Sequence, residues 1–237
     1  MNTPLIIAID GPAGAGKSTV ARELARRLDL LYVDSGATYR AAALKVLEGG
    51  ISPTDGEAVI RLLDRSEIQF VTEGSQWRIL LDGRDATSRI RSPQVTLAAA
   101  QVSRLPEVRK KLVALQRSLA GGRGVVMEGR DIGTVVFPEA SLKVFLEADP
   151  EERARRRLDQ EEAEGRRATL AQTAGEIRQR DRLDAERKIS PLVAAPDAVR
   201  IDSTHFTAEQ VVERILDLAK ERKLIKESEL EPTTGFS

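Results

Sequence analysis

The sequence predicts an α/β fold in which a central five-stranded parallel sheet is flanked by helices and interrupted by a small antiparallel β insertion. Three observations predict it. Short apolar runs alternate with amphipathic helical stretches, the pattern of parallel strands joined by crossover helices. A glycine-rich turn lies between the first such strand and the first such helix. In the middle of the chain this alternation gives way to short segments separated by turn residues, as hairpin-linked strands require.

Taken in order, residues 5–9 form an apolar strand closed by Asp10, Gly11 and Pro12. From residue 17 to 30 the positions Val20, Ala21, Leu24, Ala25 and Leu28 recur at helical spacing, with Arg and Glu between them. Residues 30–33 read as a second strand and 37–47 as a second helix, closed by Gly49 and Gly50. Segments 67–72, 77–81 and 83–86, set apart by Glu73-Gly74-Ser75 and Asp82-Gly83, predict the antiparallel insertion. Ser92-Pro93 opens a helical region that runs to residue 120, broken near Pro106 and ended by Gly121-Gly122. Residues 125–127 and 142–146 return to the buried-strand pattern. Residues 150–184 read as one densely charged helical stretch, with 11 basic and 10 acidic residues between Glu151 and Lys188. A last strand at 199–201 and an amphipathic helix at 208–223 follow. The expected division is a core of residues 1–63, 93–149 and 189–225, an insertion at 64–92, a helical segment at 150–188 and a loose polar tail at 226–237.

Composition narrows the function. With 41% apolar and 31% charged residues among 237, the chain can bury a core. Its 37 basic and 37 acidic residues cancel, so nothing draws the molecule as a whole to a nucleic acid polymer or a membrane, and any anion site must be local. The absence of cysteine excludes disulfides and thiolate chemistry, and the single His205 excludes a histidine-rich metal cage. No apolar run approaches the roughly 20 residues that span a bilayer. Met1-Asn2-Thr3-Pro4 carries no basic leader region, so a soluble cytoplasmic protein is the expectation; a monomer is expected as well.

The octet Gly11-Pro12-Ala13-Gly14-Ala15-Gly16-Lys17-Ser18 satisfies G-x-x-x-x-G-K-[ST], and Thr19 follows. Glycines let backbone N–H groups turn inward around phosphate oxygens, and the helix starting near Lys17 adds its positive end. Lys17 supplies charge for the β- and γ-phosphates, and the Ser18 hydroxyl can ligate Mg²⁺. A bound nucleoside triphosphate follows. A GTPase would need Asn-Lys-x-Asp, yet the only asparagine is Asn2; a transporter-type ATPase would need Leu-Ser-Gly-Gly, which is absent. A small-molecule kinase is the better class.

Two arginine-bearing turns directly follow predicted strands, Asp34-Ser35-Gly36-Ala37-Thr38-Tyr39-Arg40 and Glu128-Gly129-Arg130-Asp131-Ile132-Gly133-Thr134. In α/β sheets such turns hold ligands, and the planar guanidinium grips phosphate in a bidentate manner. A third cluster, from Arg178 to Arg187, reads on spacing alone as a solvated helix with i,i+4 charge pairs.

These two turns, the segment from Gln101-Val102 through Val108-Arg109, Glu128 to Pro138, and R-D-x-x-D-x-x-R-x-x-S-P-L at 180–192 together resemble the bacterial cytidylate kinase family. The motifs occur in the same order from the phosphate loop to the last helix. The resemblance implies a P-loop kinase fold with an extra monophosphate-binding insertion and a helical lid. It implies transfer of the γ-phosphoryl group of ATP, with Mg²⁺, to CMP or dCMP. On this basis Arg40 and Arg130 hold the acceptor phosphate, and Arg109 and Asp131 read cytosine. Ser35, Arg180 and Asp184 face the ribose, Arg187 lies close to the phosphates, and Tyr39 packs beside the base. Arg153, Arg156 and Arg157 belong to the lid over ATP. Lys17, Arg130, Asp131 and Arg187 are the implied catalytic group. The chain departs from the family at Ala100, where a serine is common, and at Ala185. The first departure keeps open a broader pyrimidine monophosphate kinase that also takes UMP. A kinase acting on a hydroxyl, with Asp131 as base, is a further alternative, and so is a switch protein that merely binds ATP.

Overall fold

The computed structural model describes residues 4–73, 76–121, 124–163, 165, 168–187 and 189–226. In chain order its elements begin with β1 (Ile6–Asp10), α1 (Lys17–Arg27), β2 (Leu31–Asp34), α2 (Ser35–Glu48) and α3 (Gly56–Leu63). Next come β3 (Ile68–Glu73), β4 (Gln76–Leu81), β5 (Arg84–Asp85), α4 (Pro93–Val102) and α5 (Pro106–Leu119). The chain continues with β6 (Val125–Gly129), a one-turn π-helical segment (Ile132–Val136), β7 (Leu142–Glu147), α6 (Pro150–Ala163), α7 (Leu170–Ala185), β8 (Val199–Asp202) and α8 (Ala208–Glu221). These elements fall into two compact units, Met1–Val33 with Gly122–Ser237, and Asp34–Gly121.

The first unit holds the five-stranded parallel sheet, in the order β2-β6-β1-β7-β8. β1 occupies the middle, parallel to β6 on one side and β7 on the other. Ile7, Ala8 and Ile9 are fully buried, as are Val125, Val126 and Met127 beside them. A strand buried on both faces reads as an unbroken apolar run, which is why these strands are legible without alternation. α1 packs on β6 and α8. Leu24, at its centre, is fully buried, so Leu24→Ala would cost about 2–5 kcal/mol. The order places the C-terminal end of β1, and hence the glycine-rich turn, at the point where the sheet reverses its strand order, the usual ligand crevice of such folds.

The second unit joins the three-stranded sheet β3-β4-β5 to α2, α3, α4 and α5. β3 and β4 are antiparallel with Phe70 opposite Ile79, and Phe70 stacks on Trp77 at 5.8 Å. Ala41, Ala42 and Ala43 of α2 share a core with Ala98, Ala99 and Val102 of α4. Small side chains on both helices let their axes approach closely.

The predicted sheet, insertion and helical break before Pro106 are all present, with α4 ending at Val102 and α5 starting at Pro106. Residues 35–63 and 93–119 pack with the antiparallel insertion in one unit rather than with the parallel sheet. The charged stretch is two helices rather than one. Thr169 starts α7 with a capping box, accepting from the Gln172 N–H while the Gln172 side chain accepts from the Thr169 N–H. α3 is only eight residues long and buries Val59 and Leu63. The turn residues 74 and 75 and the tail beyond Lys226 lie outside the described residues.

Candidate active site

The glycine-rich turn is shaped by what lies behind it. Gly11 has φ +148° and Gly14 φ +78°; a Cβ would fall 2.0 Å from the Leu146 carbonyl oxygen at the first and 2.7 Å from the Arg153 carbonyl oxygen at the second. The turn therefore rests on the end of β7 and the start of α6, where no side chain fits. Gly16 begins α1 without a side-chain cap, so the first N–H groups of the helix remain available for an anion. The Ala13 carbonyl accepts from Arg153 at 3.0 Å and the Ala15 carbonyl from the Ser203 hydroxyl at 3.2 Å. Ser18 and Thr19 are exposed at the start of α1. Lys17 is buried and donates to the Pro12 carbonyl at 2.7 Å. Burial, then the positive charges of Arg130 and Arg180, push its ammonium pKa down to about 7 against the opposing pull of Glu128 and Asp10.

β6 delivers the second predicted turn. Arg130 donates from Nε to Asp184 at 2.8 Å and from Nη1 to the Gly129 carbonyl at 3.3 Å. Arg187 reaches the other oxygen of Asp184 at 2.5 Å. One carboxylate of α7 thus holds two guanidiniums. Burial works against the charge of Arg130, but Asp184, Glu128 and Asp181 outweigh it and raise its pKa. Burial likewise opposes the charge of Asp184, and Arg130, Arg187 and Arg180 overcome it, holding that carboxyl below its ordinary range. Arg180 is exposed, and Asp131 is buried. The cluster from Arg178 to Arg187 is mixed: Arg182 and Glu186 form the expected exposed pair at 2.8 Å, while Asp184 and Arg187 face Arg130.

The arginines at the start of α6 are anchored to protein oxygens. Arg153 is buried and donates to Ala13, to Ala148 at 3.1 Å and to Asp181 at 2.5 Å. Arg156 binds Ser203 and Thr204. Arg157 donates to Glu161 and Gln160, each at 3.0 Å.

In the second unit, Ser35 is buried at the first position of α2. Asp34 caps that helix by accepting from the Ala37 N–H at 3.1 Å, and its other oxygen accepts from Arg40 at 2.6 Å. Burial opposes the Asp34 charge, yet Arg40, the Ala37 N–H and Arg91 together lower its pKa. Arg109, on α5, is buried with its guanidinium 5.4 Å from the centre of the Tyr39 ring, and it donates to the Ser103 carbonyl at 3.2 Å. Ala100, half-buried on α4, offers its carbonyl to the Ser103 hydroxyl at 3.0 Å. Gln116 donates to Thr38 at 2.8 Å, and Thr38 donates to the Ser35 carbonyl at 2.6 Å, so the start of α2 is pinned from within.

Sequence reasoning missed three residues: Asp34, Gln116 and Asp10. An aspartate directly before a helix start is a legible cap. Gln116 lies mid-helix and gives no signal. Asp10, buried at the end of β1, accepts from the Ile132 N–H on Oδ1 and the Gly133 N–H on Oδ2, each at 2.8 Å. Burial, partly offset by those two hydrogen bonds and reinforced by the charge of Asp131, raises its pKa to about 6.

A parallel α/β sheet with this phosphate loop at its reversal point, and a bank of arginines beside the loop lysine, defines a P-loop kinase. A family model for cytidylate kinase matches residues 7–221. The chain is 48% identical over 213 residues to a cytidylate kinase of Caldicellulosiruptor saccharolyticus, covering 90% of this chain and 94% of that one. It is 50% identical over 217 residues to a cytidylate kinase of Pelotomaculum thermopropionicum, covering 91% and 96%. An uncharacterized protein from Eubacterium ventriosum, of known crystal structure, shares the fold with a TM-score of 0.52 at 11% identity, over 92% of this chain and 99% of that one. The chain belongs to the cytidylate kinase family.

Proposed function

We propose that this protein transfers the γ-phosphoryl group of ATP to CMP or dCMP, forming CDP or dCDP. The observation that carries the reading is the crowding of cations in the first unit. Lys17 on the donor loop is buried, and burial first, then Arg130 and Arg180, disfavours its charge. Such an arrangement is costly until phosphates neutralise it, and favourable once they do. Relatives about half identical over nine-tenths of the chain carry the name cytidylate kinase, which supports cytosine as the base.

The chemistry asks for positioning and charge neutralisation. A nucleoside monophosphate, with a second pKa near 6, is largely dianionic at neutral pH and needs no general base. In the first unit, Lys17 exchanges the Pro12 carbonyl for the β- and γ-phosphates of ATP. Arg130 and Arg187, held by Asp184, meet the acceptor phosphate, with Asp184 and Arg180 also serving the ribose. In the second unit, Arg40, braced by Asp34, is a further phosphate ligand, and Ser35 faces the sugar. Arg109, stacked on Tyr39, donates to the ring acceptors of cytosine. Asp131 accepts from its exocyclic amino group, where uracil carries a carbonyl oxygen that a carboxylate repels. The charged segment 150–188 serves as the lid that excludes water from the γ-phosphate.

The Ser18 hydroxyl, exposed at the mouth of the loop, would hold the magnesium ion that accompanies ATP. Among the described residues no group of three or more His, Cys, Asp or Glu could cage an ion, which suits a metal that arrives with its nucleotide. Held there, Mg²⁺ would supply charge neutralisation for the phosphates.

The test is to incubate the enzyme with γ-labelled ATP, Mg²⁺ and CMP and to separate the products. Label found in CDP supports the reading. Label released as inorganic phosphate, with no CDP formed, overturns it.

A further inference from the structure

Asp10 has no part in the chemistry described above, yet it is a buried carboxylate at the centre of the sheet. Its backbone is pinned on both sides, opposite Gly129 of β6 and Phe145 of β7. Both carboxylate oxygens are committed, one to the Ile132 N–H and one to the Gly133 N–H, at 2.8 Å each. Two hydrogen bonds from consecutive peptide groups onto one planar carboxylate fix the direction of those peptides as well as their position.

Those peptides belong to the turn that carries Arg130 and Asp131 out of β6. Beyond Gly129 the chain leaves the strand conformation, with Asp131 at φ −145° and ψ 27°, and enters the π-helical turn. The Val135 and Val136 N–H groups close that turn on the Asp131 carbonyl at 2.9 and 3.2 Å. The first N–H groups of the turn have no partner within it and are directed at Asp10. The opposite side of the turn is equally confined: a Cβ on Gly133 would meet the buried Lys143 stem at 3.1 Å and Asp10 Oδ2 at 3.4 Å. Lys143 is itself tied to Asp197 at 2.9 Å.

We propose that Asp10 is a positioning residue for the acceptor turn, whose carboxylate, through the Ile132 and Gly133 peptides, sets where Arg130 and Asp131 stand. The inference rests on the functional reading above, which gives those two residues to the acceptor. Asp10 also directly precedes Gly11, so the same residue that ends the donor strand orients the acceptor turn. A displacement of the turn by an ångström would misplace phosphate and base ligands together, a loss of about 100-fold in rate.

The experiment compares wild type with Asp10→Asn, whose amide offers one acceptor oxygen and sets an N–H donor against the other peptide. Three quantities are read: affinity for a non-hydrolysable ATP analogue, kcat/KM for CMP, and the ratio of kcat/KM for CMP over UMP. The expected result is ATP-analogue affinity within about threefold of wild type, a fall of about 30- to 100-fold in kcat/KM for CMP, and a reduced CMP-over-UMP ratio. A fold defect alone would lower ATP binding and CMP use in parallel and leave the base ratio unchanged. Gly133→Ala keeps every charge and crowds the same carboxylate from the turn side, so it should give a smaller loss of the same selective kind. Unchanged CMP use in Asp10→Asn, or a base ratio equal to that of wild type in both variants, overturns the proposal. A wild-type enzyme that does not phosphorylate CMP would refute the functional reading instead, and the two failures are told apart by wild type alone.

Discussion

Arg130→Ala is the perturbation whose consequences the geometry sets most fully. The side chain is 17% exposed and its partner Asp184 16%, so their interaction is only partly screened by water. Removing one partner of a fully buried ion pair costs about 3–5 kcal/mol. Here Asp184 keeps Arg187 at 2.5 Å, so the cost to folding should be smaller, about 1–2 kcal/mol. The loss to catalysis is larger. Hydrogen bonds to charged groups are worth about 1.5–3 kcal/mol each, and a guanidinium fork makes two to a phosphate. A fall of about 10³-fold in kcat/KM for CMP follows, mostly in kcat if the contact tightens as charge moves in transfer. ATP affinity should hold or improve, because Arg130 is a like charge that disfavours the ammonium of Lys17. Arg130→Lys should recover only part of the loss, since it restores the charge without the fork. The assay is coupled ADP release at varied CMP, with ATP-analogue binding measured in parallel. Equal losses in ATP binding and CMP use would place Arg130 on the donor side and refute the reasoning, as would a fall of less than tenfold.

Three further expectations follow from individual residues. Lys17→Ala should cut turnover below about a tenth of wild type. Because Lys17 titrates near pH 7 in the free protein, ATP binding at pH 8 should take up close to one proton, measured by calorimetry in buffers of differing ionisation enthalpy; an uptake that survives Lys17→Ala would refute the assignment. Asp10 titrates near pH 6 when folded against 3.8 when unfolded, so its protonation favours the folded state. That contribution, about 3 kcal/mol in all, is complete below about pH 4 and lost as pH rises through 6, with Asp131 and Lys17 the charges acting on it. Relative to Asp10→Asn, wild type should therefore lose stability to urea between pH 4 and 7, and parallel profiles would contradict the burial argument. Ala100→Ser should sharpen the preference for CMP over UMP by tenfold or less, the worth of one neutral hydrogen bond, and no change would place residue 100 away from the base.

Much of this molecule is legible in its residues because local and global signals agree. β1, β2, β6 and most of β7 are apolar runs bounded by turn residues, while β8 alternates, and the phosphate loop is defined by spacing that only its chemistry requires. Pro106 marks the break between α4 and α5 because proline cannot continue the preceding helix. Where the reading falls short, long-range packing decides. Residues 150–184 carry helical charge spacing over most of their length, and the break shows in Gly165, at φ +74° after the end of α6, and in the capping box at Thr169 and Gln172 that starts α7. Nothing in the spacing shows that α2 and α4 share a core with the antiparallel insertion, because that depends on alanine faces meeting across some sixty residues of chain. The site divides in the same way. Arg130, Asp184 and Arg187 were nameable from motifs, and the structure joins them. Asp10 reads as a strand terminus, and its role as a clamp becomes visible only once β1 lies beside β6.

The activity to be tested is phosphorylation of a monophosphate with selection of cytosine. It is tested most directly by ADP release at saturating ATP and Mg²⁺ against CMP, dCMP, UMP, AMP, GMP and free cytidine, each reported as kcat/KM. The expected result is turnover with CMP and dCMP, a clear preference over UMP, and none with cytidine. Equal use of CMP and UMP would contradict the cytosine-reading roles of Arg109 and Asp131, and turnover with cytidine would contradict the phosphate-acceptor mechanism itself.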